Sequence, residues 1–174
     1  MKLILIAGKA RSGKTSAARL LKEILEEKKE KVVITEYSKY IKLFAKDLLG
    51  WDMVSEPKPR AFLQDIGHFV RQLKTDVYFV ERMKEDLQIY EHFVDAVIIS
   101  DVRMPREIDG LEEFKPLKIQ VINDLASYDL TDKEAEHETE HALDHYTDFD
   151  YVLKNKTEEE MYELLKQIVK ENEL

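Results

Sequence analysis

An octapeptide near the N-terminus, GKARSGKT at residues 8–15, limits the folds open to this chain more than any other feature. It follows a short apolar run, Leu3 to Ala7, of the kind that forms a strand buried on both faces of a parallel sheet. It leads into the segment Lys14 to Lys29, whose apolar residues recur at helical spacing. The order strand, glycine-bounded loop, helix therefore predicts an α/β fold.

The octapeptide matches the pattern G-x-x-x-x-G-K-[ST] in the strand-to-helix context that the pattern requires. Glycine lets the backbone wrap closely around a polyphosphate, while the loop amides and the helix N-terminus supply donors and positive potential. In such a loop Lys14 reaches the β and γ phosphate oxygens, and the Thr15 hydroxyl binds Mg²⁺. We therefore predict a P-loop that binds a nucleotide with Mg²⁺. The predicted contacts are Gly8, Lys9, Ala10, Arg11, Ser12, Gly13, Lys14, Thr15 and Ser16.

Apolar runs and helical patterns alternate along the rest of the chain. The further predicted strands are Val32 to Glu36, Val94 to Ser100, Leu117 to Ile122 and Tyr151 to Leu153. The predicted helices are Tyr40 to Leu49, a region from Arg60 to about Tyr90 with a break near Thr75, the polar stretch Leu125 to His145, and a C-terminal helix. This alternation predicts a three-layer α/β/α fold with a five-stranded parallel sheet and helices on both faces.

The C-terminal helix has the clearest start signal. Thr157 is followed three residues later by Glu160, which is the spacing of a capping box. The helix is predicted to bury one apolar stripe, made of Met161, Leu164, Leu165, Ile168 and Val169.

Composition excludes several classes of protein. The sequence has 5 glycines and 4 prolines and lacks a linker-like stretch, so we expect one domain over residues 1–174. Cysteine is absent, which excludes a disulfide framework, a thiolate metal site and a cysteine nucleophile. The net charge of -9 disfavours nucleic-acid binding, and no apolar run is long enough to span a membrane. We expect a cytoplasmic protein with small-molecule partners and leave a homodimer open.

Charged residues near the third predicted strand are candidates for handling phosphate. Asp101 directly follows Ser100, at the end where an open parallel sheet places ligand-binding groups, so it is a candidate Mg²⁺ ligand; an acidic helix cap is the alternative. A group of arginines lies between the second and fourth predicted strands, and guanidinium groups suit bidentate phosphate binding, although each alone fits a surface salt bridge. These are Arg60, Arg71, Arg103 and Arg106.

Two observations bear on which kind of P-loop protein this is. A Ras-type GTPase would need an N-K-x-D motif, but NKTE at 155–158 lacks the aspartate and NDL at 123–125 lacks the lysine, which favours a small-molecule kinase. Aromatic residues at helical spacing fit either the core or an acceptor-base pocket, with the core favoured. They are Phe62, Phe69, Tyr78 and Phe79.

Several further strings occur in a recognisable order. They are YSKYIK at 37–42, FLQDIG at 62–67 with Arg71 and Asp76, ISDVRMPRE at 99–107, HETE at 137–140 and DYVLKN at 150–155. Together with GKARSGKT, these strings resemble the phage and bacterial deoxynucleotide monophosphate kinases, within the nucleoside monophosphate kinase-like group of P-loop proteins.

The resemblance implies transfer of the γ-phosphoryl group of ATP to a (deoxy)nucleoside monophosphate, with a lid at about residues 124–147. It implies Lys14, Asp101 and Arg103 as catalytic residues. It also implies acceptor contacts from Ser38, Lys42, Arg60, Gln64, Arg71 and Arg106. A kinase for another phosphorylated metabolite, such as phosphomevalonate, and a nucleotide-gated binding module without turnover are the alternatives.

One motif competes with this interpretation. Residues 137–141 read H-E-x-x-H, in which His137 and His141 lie one helical turn apart and could bind zinc while Glu138 activates water. His145 continues the same face as a candidate third ligand. Because the surrounding segment has few apolar residues for packing, a solvated lid helix is the favoured interpretation.

Overall fold

A computed structural model describes residues 1–123, 138–154 and 157–174 of the chain. Its centre is a five-stranded sheet in the order β2-β3-β1-β4-β5, and every pairing is parallel. The strands are β1 (Lys2–Ala7), β2 (Val32–Thr35), β3 (Ala96–Val102), β4 (Leu117–Ile122) and β5 (Tyr151–Lys154). The predicted sheet is confirmed, and β1 occupies its middle.

Helices connect these strands on both sides of the sheet. They are α1 (Lys14–Glu27), α2 (Lys39–Leu49), α3 (Arg60–Leu73), α4 (Tyr78–Tyr90), α5 (Pro105–Asp109), α6 (Glu138–His141) and α7 (Glu158–Glu171), with a 3-10 turn at Glu112–Phe114. The long predicted helical region is two helices, because residues 74–77 interrupt it as expected. Sequence reasoning missed α5, since five residues are too few to show helical periodicity.

The core lies on both faces of the sheet. On one face, Ile4 and Ile6 of β1 pack in a cluster with α1 and α7. On the other face, Leu3 and Leu5 pack with α4, and Ile108 brings the short helix α5 into the same cluster. Successive residues of a strand point to opposite faces, so a strand covered on both sides must be apolar throughout. This explains the continuous apolar run before the P-loop.

Helix α7 follows its predicted start but buries fewer residues than predicted. The Thr157 hydroxyl accepts a hydrogen bond from Glu160 N at 3.2 Å, and Glu160 Oε2 accepts one from Thr157 N at 3.3 Å, which confirms the capping box. Leu165 is fully buried against α1, whereas Leu164 is 40% exposed. The inclusion of Leu164 in the buried stripe is wrong, because three residues beyond Met161 it reaches the margin of the stripe rather than its centre.

Two predictions concern features outside the sheet. None of the helices in the described residues has the length and apolarity needed to cross a membrane. The predicted helical stretch Leu125 to His145 falls largely outside the described residues; its described part contains α6 and the turn that follows it.

We predict that Leu165→Ala lowers the free energy of unfolding by about 2–5 kcal/mol, because the substitution leaves a cavity between α7 and α1. The matched control is Leu164→Ala in the same helix, which should cost less than about 1 kcal/mol because that side chain is already partly in solvent. Urea denaturation followed by circular dichroism measures both. Equal losses for the two variants would contradict the packing described for α7.

Candidate active site

The P-loop leaves the sheet at the carboxyl end of its central strand. Gly8 has φ +149° and Gly13, which precedes α1, has φ +101°; both lie in the region that L side chains rarely adopt. A Cβ atom at Gly8 would lie 2.4 Å from Val121 O of the neighbouring strand. The glycines are therefore required, one for its close approach to β4 and both for their backbone conformation.

Lys14 is the buried cation of this loop. Its Nζ donates to Gly8 O at 2.8 Å and to Lys9 O at 2.6 Å. Burial lowers the pKa of Lys14 to about 7, and the positive charge of Arg103 acts in the same direction. A bound polyphosphate would reverse part of this effect, because an opposite charge favours the ammonium form.

Asp101 lies within β3, which continues to Val102 instead of ending at Ser100 as predicted. Its Oδ1 accepts from Tyr37 N at 2.7 Å and its Oδ2 from Ser38 N at 2.9 Å, so the carboxylate fixes the turn before α2. It does not cap the helix that follows it, since Met104 is the N-cap residue of α5. Each carboxylate oxygen keeps a further acceptor site, so Asp101 remains able to bind a cation.

Arg103 follows β3 and is held at both ends. Its backbone N donates to Glu107 Oε2 at 2.7 Å, and its Nη1 pairs with Glu140 Oε1. The second oxygen of Glu140 accepts from Ala10 N in the P-loop at 2.8 Å. Sequence reasoning did not single out Glu140, because 130 residues separate it from Ala10 and no local pattern reports such a contact.

A cavity of about 660 Å³ joins these groups at the carboxyl edge of the sheet. Its walls include Lys14 and Thr15 of the P-loop together with Asp101 and Arg103. Most predicted acceptor residues also line it, namely Ser38, Lys42, Arg60, Gln64 and Arg71. Arg106 lies on α5 and is not among the described residues that line this cavity. The structure thus brings both predicted sets together from separate elements.

Lys58 is a cavity residue that sequence reasoning missed. It lies in the loop between α2 and α3, where Pro57 and Pro59 flank it. It belongs to no sequence motif, so nothing in the sequence singled it out. Burial lowers its pKa, as do the charges of Lys42, Arg60 and Arg103, while Glu36 opposes them. Because Lys58 lines the cavity together with Lys42, Arg60 and Arg103, the cavity contains a cluster of cations.

Oxygen groups in the same cavity could hold a divalent cation. The Thr15 hydroxyl and the Asp101 carboxylate both line it, and oxygen is the donor that Mg²⁺ prefers.

Two of the four predicted aromatic residues, Tyr78 and Phe79, belong to the core. Phe79 of α4 is buried in the core cluster that this helix forms with the sheet, and it stacks on Tyr40 with ring centroids 6.2 Å apart. It is also among the residues that line the cavity. Tyr78 is partly buried against the same cluster. Phe62 is half-buried and Phe69 is 53% exposed. Of the four, Phe79 alone is among the described residues that line the cavity.

The described part of the predicted lid lies against the P-loop. Besides the Glu140 contacts, Asp144 forms an ion pair with Lys9 at 2.6 Å, and Leu143 is buried. His141 is exposed, and its Nδ1 lies 3.2 Å from Asp144 Oδ2. The described residues contain no group of three side chains placed to hold a metal ion, and His137 of the H-E-x-x-H motif lies outside them.

We predict that ATP binding takes up a proton at about pH 8. The pKa of Lys14 is about 7 before binding, so its amine is mostly neutral at that pH, and a nearby triphosphate favours the ammonium form. Calorimetric titrations in two buffers of different ionisation enthalpy measure the uptake. It should disappear in Lys14→Met and persist in the matched control Lys9→Met. Equal uptake in both variants would assign the proton elsewhere.

One family model matches part of this chain, and solved structures resemble its fold. A family model described as chromatin associated protein KTI12 matches residues 1–64, which include β1, the P-loop, α1, β2 and α2. The search of curated proteins gave no match. A shikimate kinase from Aquifex aeolicus is 15% identical, with 98% of this chain and 97% of that chain covered and a TM-score of 0.54. One from Bacteroides thetaiotaomicron is 14% identical, with 99% of each chain covered and a TM-score of 0.54. The chain therefore has the α/β fold of P-loop kinases.

Proposed function

We propose that this protein is an ATP-dependent kinase that transfers the γ-phosphoryl group to a (deoxy)nucleoside monophosphate and forms the diphosphate. The observation that carries the proposal is one cavity in which the P-loop lysine meets a second group of cations from other elements. The P-loop accounts for the donor, and the second group calls for an acceptor that is itself an anion.

The donor end of the proposed site is the P-loop at residues 8–15, together with Ser16. Lys14 now donates to two loop carbonyls, and in the nucleotide complex its ammonium group would turn to the β and γ phosphate oxygens. The amides at the N-terminus of α1 would donate to the same phosphates. These amides are in place before binding, so they stabilise charge without reorganising.

Thr15 and Asp101 fit a resident Mg²⁺, because they present a hydroxyl and a carboxylate to the cavity and Asp101 keeps acceptor capacity beyond its two backbone contacts. When bound, Mg²⁺ would supply positive charge beside the transferring phosphoryl group.

The acceptor end is formed by α2, α3 and the loop between them. Lys42, Lys58, Arg60 and Arg71 line the cavity, whose volume of about 660 Å³ suits a nucleotide-sized molecule. Guanidinium groups bind a phosphate through paired hydrogen bonds. Because a monophosphate is already ionised, it needs no strong general base, and the contribution of these residues is to hold two anions together in line.

Arg103 stands between the two ends in this proposal. It lines the cavity beside Lys14, and its positive charge contributes to lowering the pKa of that lysine. We assign Arg103, with Lys14, to neutralising the charge on the phosphoryl group during transfer. Residues 138–147, which lie against the P-loop, would help to exclude water from the phosphates.

We predict that ATP consumption will depend on a nucleoside monophosphate acceptor and on Lys14. A screen of ribonucleoside and deoxynucleoside monophosphates, with phosphomevalonate included, identifies the acceptor. Lys14→Ala should lower kcat at least about 100-fold, because it removes a charge that acts in the transition state, while the circular dichroism spectrum stays unchanged.

The matched control is Lys22→Ala, on the same helix and paired with Glu26, which should keep its activity. Consumption with phosphomevalonate alone would favour the alternative metabolite kinase. Tight ATP binding without transfer to any acceptor would favour the binding module.

We also predict that Arg60→Gln and Arg71→Gln raise KM for the acceptor about 10- to 100-fold, the effect of losing one hydrogen-bonded charge. KM for ATP should stay within about threefold, because neither residue is assigned to the donor. The control is Arg82→Gln on α4, whose exposed side chain pairs with Glu85. Steady-state kinetics with each substrate varied in turn measures the constants. An equal rise in both KM values would contradict the assignment of the acceptor end.

A further inference from the structure

A buried carboxylate touches the site, and the function proposed above gives it no chemical role of its own. Glu140 belongs to α6 and is 6% exposed. It is among the residues that line both the cavity of about 660 Å³ and a second cavity of about 280 Å³. A buried carboxylate is costly unless it is paired and hydrogen-bonded, so its partners account for its position.

Both oxygens of Glu140 have partners. Oε2 accepts from Ala10 N of the P-loop at 2.8 Å, and Oε1 pairs with Nη1 of Arg103. One rigid carboxylate therefore links the backbone of the loop to the guanidinium group. Removing either partner would leave buried charge uncompensated, so the three groups hold one another in place.

The link constrains the flexible end of Arg103. The backbone of this residue is already fixed, since Arg103 N donates to Glu107 Oε2 at 2.7 Å. Without the contact to Glu140, its long side chain could adopt several rotamers. Fixing it in one rotamer costs conformational entropy, which the contact to Glu140 offsets. A guanidinium group carries five N–H donors in a fixed fork, so a pair through one nitrogen leaves others directed elsewhere.

A second interpretation starts from the same contacts. A carboxylate on a loop amide resembles a phosphate, so Glu140 could instead compete with ATP for the P-loop. The contact, however, is made at Ala10, three residues before the Gly13 cap, whereas the amides that open α1 begin at that cap. Ala10 is one of the predicted ATP contacts, so Glu140 occupies one loop amide, while the amides at the helix N-terminus stay in position for a phosphate.

We infer that Glu140 is a positioning residue, which ties Arg103 to the P-loop so that the guanidinium group faces the terminal phosphate of bound ATP. The consequence for phosphoryl transfer rests on the proposed function. The consequence for nucleotide binding does not, because it requires only that ATP occupies the loop.

The test compares Mg²⁺-ATP and Mg²⁺-ADP binding by calorimetry in wild type, Glu140→Gln, Arg103→Gln and the double variant. We expect wild type to prefer ATP by about tenfold through the charge of Arg103, as for one hydrogen bond to a charged group. Each single variant should lose most of this preference. The double variant should lose no more than either one, because residues that act through one contact are not additive.

Turnover supplies the second readout. With the acceptor found in the screen, Glu140→Gln should lower kcat about 10- to 100-fold and leave KM for the acceptor within about threefold. The matched control is Glu85→Gln on α4, which removes another carboxylate–guanidinium pair, with Arg82, away from the cavity and from Arg103. It should stay within about twofold of wild type, as expected for an exposed pair.

Three results would overturn the inference. Tighter ATP binding in Glu140→Gln with undiminished turnover would show that the carboxylate competes with phosphate. Multiplicative losses in the double variant would show that Glu140 does not act through Arg103, and an unchanged ATP preference in both single variants would show that neither group meets the terminal phosphate. If Glu140→Gln does not fold, Glu140→Asp, which keeps the charge, replaces it in the same cycle.

A wild type that transfers phosphate to no acceptor would reject the proposed kinase. The binding cycle would still decide the role of Glu140, so the two failures are distinguishable.

Discussion

The site depends on the position of β1 in the middle of the sheet, with β3 and β4 hydrogen-bonded on its two sides. Because the P-loop directly follows β1, it lies at the centre of the carboxyl edge of the sheet. It also brings the end of β3, with Asp101 and Arg103, to one side of the loop, and Val121 of β4 into contact with Gly8 on the other. The carboxyl ends of parallel strands lie at the same edge of the sheet, and this alone brings together residues that are far apart in the chain.

Charge is concentrated at this edge against the character of the whole protein. The chain has a net charge of -9, yet the cavity at this edge is lined by Lys14, Lys42, Lys58, Arg60, Arg71 and Arg103. Burial, and after it their mutual repulsion, lowers the pKa values of Lys14 and Lys58. Such a cluster is held together by neighbouring carboxylates and would be stabilised further by a bound polyanion. The positive charges that repel one another before binding would therefore attract a phosphate group.

The fold relates this chain to other proteins, whereas the residues that line the cavity bear on which molecule it would bind. The similarity to shikimate kinases concerns the arrangement of strands and helices. It does not identify the acceptor, because proteins that share one fold can act on many different molecules. In the proposed function the choice of acceptor would lie in α2, α3 and the loop that contains Lys58, where a cationic lining would favour a phosphorylated molecule over a neutral one. The matched family segment, residues 1–64, covers the P-loop and reaches only the start of α3.

The sequence by itself determined the elements that have a local signal. The P-loop, the five strands, the break near Thr75 and the capping box at Thr157 are all visible because periodicity, glycine positions and caps act over a few residues. Tertiary structure alone decided that Leu164 stays partly in solvent, that Lys58 enters the cavity, that Arg106 stays out of its wall, and that Glu140 reaches Ala10. Those outcomes depend on how distant elements pack, and side chains brought together by packing need no common spacing in the chain.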